Sequence, residues 1–133
     1  MRIVIDTNVL MAGLLKDSAV RKILVLSGNE FFLPEFAIEE IKKYEDELLE
    51  KSGYDRKEFK LIVNNLLENL RIVPKDRIKE SMLEGEEIMK TIDIKDSSFI
   101  ACALAIDADG LWSFDKYFKK QKRIRVFDIK ELV

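Results

Sequence analysis

Asp6 stands in the stretch RIVIDTNVLMAGLL, residues 2–15, with Thr7 and Asn8 beside it. Ile3–Ile5 reads as a short buried strand and Val9–Leu15 as a buried helix. A carboxylate between two such segments lies near the interior and needs a partner to remain there. Three further acids share this placement. Asp115 follows an apolar run in LWSFDKYF, Asp96 opens the apolar FIACALAI, and Glu40 lies in the helix that follows FFL in FFLPEFAIEEI. In an open parallel α/β sheet, strand carboxyl ends and the following helix amino ends gather along one edge, so these acids can converge. Carboxylates in one crevice repel, each close pair by on the order of several kcal/mol. Either some are protonated or a cation neutralises them. Hard oxygen ligands without nitrogen or sulfur select Mg²⁺ or Mn²⁺. Such an ion can activate a water as nucleophile and polarise a phosphoryl oxygen.

Helix capping is the competing explanation for each acid, because a carboxylate at a helix start satisfies free N–H groups and suits the dipole. It fits Asp93 best: Asp93 can cap the helix that Asp96 opens, so capping outweighs metal binding there, although Asp93 remains a weak metal candidate. Asp115 fits a first-turn acid as well. For Asp6 the explanation is weaker, since Thr7 or Asn8 can cap the first helix unaided. Spacing alone leaves Glu39 and Glu40 equivalent.

The absences sharpen the chemistry. The chain has no histidine and one cysteine, Cys102. That removes Ser-His-Asp and Cys-His catalysis, and zinc or iron–sulfur sites built from His or clustered Cys. The five glycines are scattered, with no phosphate cradle of the G-x-G-x-x-G or P-loop kind. The net charge of −2 is unevenly spread. Residues 111–133 carry seven Lys/Arg against three Asp/Glu, concentrated in KYFKKQKRIR, residues 116–125. Such a patch can track phosphates or simply face solvent.

To position these residues the chain offers short apolar strands alternating with helical stretches. Strands are expected at Arg2–Ile5, Phe31–Leu33, Arg71–Val73, Leu111–Ser113 and Ile124–Phe127. Helices are expected at Val9–Leu15, Ser18–Leu26, Pro34–Lys51, Asp55–Leu70, Lys75–Lys90, Lys95–Ala108 and Asp115–Phe118. None of the strands shows polar alternation, so the sheet should be covered on both faces. The expectation is a three-layer α/β/α sandwich with a mostly parallel sheet of about five strands. The 133 residues suit one domain, 1–133. The longest apolar run is eight residues, Phe99–Ile106, too short to span a bilayer. A cytoplasmic protein is expected.

Four stretches in order, VIDTNVL, AIEEI, IDIKDSSFIACALA and WSFDKYF, resemble the PIN domain, the metal-dependent nuclease family that includes the VapC toxins of toxin–antitoxin pairs. The resemblance picks Glu40 over Glu39 and aligns Asp6, Glu40, Asp96 and Asp115 with the family's four acids. Ser97 and Ser113 stand where the family usually has Ala and Thr, and Tyr117 where it often has an acid. The resemblance implies an endoribonuclease whose four acids hold Mg²⁺ or Mn²⁺. Thr7 and Asn8 would orient Asp6 or contact the scissile phosphate, and Lys116, Lys119, Lys120, Lys122 and Arg123 would guide the RNA. It also implies a small antitoxin partner and a homodimer. Two other readings stand beside it: a PIN-fold nuclease of RNA processing, and a non-catalytic binding module.

Overall fold

β-Branched residues at 3–5 give a strand with no polar face, and a strand of that kind belongs inside a sheet covered on both sides. The computed structural model, which describes residues 1–133, places it at the centre. The five strands are β1 (Arg2–Ile5), β2 (Glu30–Pro34), β3 (Arg71–Val73), β4 (Gly110–Trp112) and β5 (Val126–Phe127). Their order is β3-β2-β1-β4-β5, and every pairing is parallel.

Alternation along the strands divides the interior in two. Ile3, Ile5, Phe31, Leu33, Trp112 and Phe127 point to one face. There they meet α1 (Thr7–Gly13), α2 (Ala19–Leu26), α3 (Glu35–Lys43), α4 (Glu45–Ser52), α5 (Arg56–Glu68) and α9 (Ile129–Leu132). Val4, Phe32, Val73 and Leu111 point to the other face. They meet α6 (Lys75–Lys79), α7 (Met82–Met89) and α8 (Ser97–Ala105). This is the expected three-layer sandwich. No helix is long and apolar enough to cross a membrane.

Several expected boundaries move. The helix expected over Pro34–Lys51 is two, α3 and α4, broken at Tyr44. Lys42 and Lys43 close α3, while Glu45, Asp46 and Glu47 open α4. Cations at a carboxyl end followed by acids at an amino end suit two dipoles better than one. The helix expected over Lys75–Lys90 also divides, into α6 and α7. Gly85 then sits so close to α8 that a Cβ would lie 2.7 Å from the Ser97 carbonyl oxygen. The strand expected from Ile124 begins only at Val126. The Gln121 amide accepts from the Ile124 N–H at 2.8 Å and donates to the Ile124 carbonyl at 2.7 Å, so that residue is withdrawn from the ladder. The short α9 was not expected. Asp128 and Glu131 form a capping box at its start.

Candidate metal centre

The strand order reverses between β1 and β4, and in an open α/β sheet the crevice beyond such a pair's carboxyl ends is where ligands bind. Asp6 follows β1 directly, and its N–H continues the ladder by donating to the Trp112 carbonyl at 3.2 Å. Its side chain is only 4% exposed. Oδ1 accepts from the Val9 N–H at 3.1 Å and so caps α1, a role that Thr7 or Asn8 was expected to fill. Oδ2 accepts from the Ser113 hydroxyl. Both oxygens of the buried carboxylate are thus partnered, as its desolvation demands.

The other acids are brought in by separate elements. Ser113 Oγ also accepts from the Asp115 N–H at 2.9 Å, which ties Asp115 to Asp6 through one hydroxyl. Asp115 Oδ1 in turn accepts from the Tyr117 N–H at 2.9 Å, capping the 3₁₀ turn Lys116–Lys120. Glu40, half-buried on α3, accepts from the Thr7 hydroxyl at 3.1 Å. Glu39 points away and pairs with Lys75 at 2.7 Å, so the two glutamates that spacing left equivalent are separated. Asp96 ends the 3₁₀ turn Ile94–Asp96 at the mouth of α8, and its carboxylate accepts no hydrogen bond.

Asp6, Glu40, Asp96 and Asp115 line one cavity of about 260 Å³, together with Thr7 and Asn8. Phe36 and Phe99 complete its wall, in edge-to-face contact at 5.1 Å between centroids. Burial pushes the Asp6 carboxyl above the ordinary range, against the pull of its Ser113 and Val9 partners. Asp96 is pushed up to about 6, first by burial and then by the charges of Asp93, Asp115, Asp6 and Glu40. The acids therefore act on one another electrostatically.

As the side chains stand, no three of these acids close around a single point. The donor set nonetheless fits a hard divalent cation. It is all oxygen, Asp96 has no competing partner, and Mg²⁺ characteristically takes one or two carboxylates and keeps water for the rest of its shell. Asp6, Asp96, Glu40 and Asp115 are the residues that would hold it.

The remaining sequence candidates are spread out. Asp93 lies outside the crevice and caps the turn at the Lys95 N–H, 3.1 Å away. Lys116 faces the neighbouring cavity. Lys119 pairs with Asp128, Lys120 sits over the Tyr117 ring at 4.6 Å, and Arg123 is 3.8 Å from Glu84. The Lys122 ammonium reaches only the Lys119 carbonyl, at 3.4 Å. None of these five lines the acidic crevice. The cation that does is Lys95, which the sequence reading passed over although it directly precedes Asp96. Ser113 was passed over as a site residue too.

The domain is a parallel α/β sheet with four acids gathered in one crevice at its reversal point. Residues 4–125 match the PIN domain family, and the chain belongs to that family, whose members are generally nucleases. No curated protein matches it. Among solved structures, a chain of Rickettsia felis VapBC2, crystallised bound to a DNA fragment from their promoter, shares its fold. The TM-score is 0.69 at 16% identity, covering 96% of this chain and 100% of that one.

Proposed function

We propose that this protein is a Mg²⁺- or Mn²⁺-dependent endoribonuclease, the toxin of a VapBC-type pair. The observation that carries the reading is the meeting of four acids from four separate elements in one crevice, with Asp96 left unpartnered and electrostatically strained. When bound, a divalent ion there would supply Lewis-acid activation of water and of the phosphoryl group. The chain's own residues do the rest. Asp6 is fixed by Val9 and Ser113, so its carboxylate is oriented before any ligand arrives. Thr7 holds Glu40 by a hydroxyl donor, and Ser113 links Asp6 to Asp115. Exposed Asn8 and Lys95 line the crevice and would meet a phosphodiester there, Lys95 as a point charge. Lys116 and Lys122 would extend a cationic track from Asp115 along the RNA backbone.

The fold shared with a VapBC chain supports a small antitoxin as partner, and self-association belongs to the same reading. Light scattering of the protein alone and with the product of any neighbouring short reading frame tests both. The activity is tested by cleavage of single-stranded and structured RNA with Mg²⁺, with EDTA, and with the variants Asp6→Asn and Asp96→Asn. Cleavage should require the ion and vanish in both variants. Full activity in both, or in EDTA, overturns the reading.

A further inference from the structure

Beside the acidic crevice lies a second cavity of about 330 Å³ that shares Asp115 with it. Three lysines enter its wall, Lys116, Lys119 and Lys130. Lys119 is committed to Asp128, whereas Lys116 and Lys130 have no carboxylate partner. Among these charges stands an aromatic ring, Phe114, 47% exposed. Its position is not loose. The ring meets the fully buried Trp112 at 83° and 6.0 Å between centroids, which fixes its plane and leaves much of it open to the cavity.

One edge of Phe114 covers Trp112, but the rest of the ring stands open among unpaired cations, which neither the core nor solubility requires. This arrangement has the composition of a single-strand nucleic-acid platform, in which base stacks on ring and phosphate meets ammonium. We propose that this cavity is a nucleotide subsite: Phe114 stacks an unpaired base of single-stranded RNA, and Lys116 and Lys130 hold its phosphates. Asp115 forms the boundary between the two cavities, so the stacked nucleotide is one adjacent to the bond cut in the acidic crevice. The subsite rests on the nuclease reading above. It also sharpens the substrate class, because a base can stack there only where it is not paired in a duplex.

The test measures binding and turnover separately. Anisotropy of a labelled, mixed-sequence, single-stranded oligoribonucleotide is followed with Mg²⁺ in the Asp6→Asn background, where Asn can still cap α1 through its side-chain oxygen. Phe114→Leu keeps apolar cover over Trp112 but removes the stacking face, and should weaken binding about tenfold. Phe114→Tyr should restore it. An abasic site walked along the oligonucleotide should lower affinity by a similar factor at one position in the parent, and by little there in Phe114→Leu. With Asp6 intact, Phe114→Leu should raise KM with kcat nearly unchanged. Lys116→Ala and Lys130→Ala should each flatten the slope of log affinity against log salt by about 0.7. A Phe114→Leu protein that is folded by circular dichroism and binds like its Asp6→Asn parent, while the wild type cleaves RNA, overturns the subsite and leaves the nuclease reading in place. An Asp6→Asn protein that does not bind RNA, together with a wild type that does not cleave it, overturns the nuclease reading itself.

Discussion

Asp96→Asn should make the metal-free protein more stable at neutral pH while sharply reducing its response to Mg²⁺. Asp96 is held up to about 6 against an ordinary 3.8. A raised folded-state value means that the stabilisation belongs to the protonated form. It is fully present below about pH 4 and is lost as pH rises through about 6, where the folded state must carry the charge. The full shift corresponds to about 3 kcal/mol. The carboxyl is partly open to solvent, so screening reduces that by roughly half. Asparagine also forgoes the attraction of a carboxylate to the amino end of α8, worth about 0.5 kcal/mol. Because the side chain accepts no hydrogen bond, nothing further is lost. The net expectation is about 1 kcal/mol of added stability at pH 7, or about 4 °C in Tm for a chain of this size. At pH 4 the difference should disappear. Saturating Mg²⁺, at about 100 times Kd, should stabilise the wild type by about 2.7 kcal/mol and the variant far less. Thermal unfolding in EDTA and in Mg²⁺ at both pH values reads all four quantities. A variant less stable than wild type at pH 7, or one that gains as much from Mg²⁺, would refute the reasoning.

Ser113→Ala removes the hydroxyl shared by Asp6 and Asp115, and should weaken the apparent Mg²⁺ affinity about tenfold in a cleavage assay while the circular dichroism spectrum is unchanged. Thr7→Val, isosteric but unable to donate to Glu40, should lower kcat more than it raises KM for RNA. Gly85→Ala would set a Cβ 2.7 Å from the Ser97 carbonyl and 3.1 Å from Ala101, prising α7 from α8 beside Asp96. Chemical denaturation should show a loss of about 1–2 kcal/mol, even though alanine favours a helix by about 1 kcal/mol. Arg123→Ala should change the salt dependence of RNA binding less than Lys122→Ala, because Arg123 is near Glu84.

Much of the fold was legible because it rests on short-range patterns. The apolar triplet at 3–5, the all-round apolar helix near Phe99, the acids after β1, β2 and β4 and the acid that opens α8 are local features, and the sheet edge gathers them. What escaped notice depends on contacts across the chain. Ser113 stands 107 residues from Asp6, and no spacing connects them. Asp6 turned out to cap its own helix because it had to be buried at the strand end, where its acceptor oxygens meet the first free N–H groups. Two further boundaries carry local signals in the sequence. The KKYEDE run marks one helix ending and another beginning, and DIKE, residues 128–131, is a capping box. The basic stretch at 116–125 had suggested a single RNA track. Salt bridges and a cation–π contact commit part of it elsewhere, while Lys95, alone in an acidic context, enters the crevice.

Titration of the metal-free protein with Mn²⁺, followed by electron paramagnetic resonance of the free ion, tests the shared-cation claim at its root. Wild type should take up Mn²⁺ at a site that Mg²⁺ competes for, and Asp6→Asn and Asp96→Asn should each weaken that uptake at least tenfold. Uptake of equal strength in all three proteins, or none in the wild type, would mean that these carboxylates are neighbours without a common ligand.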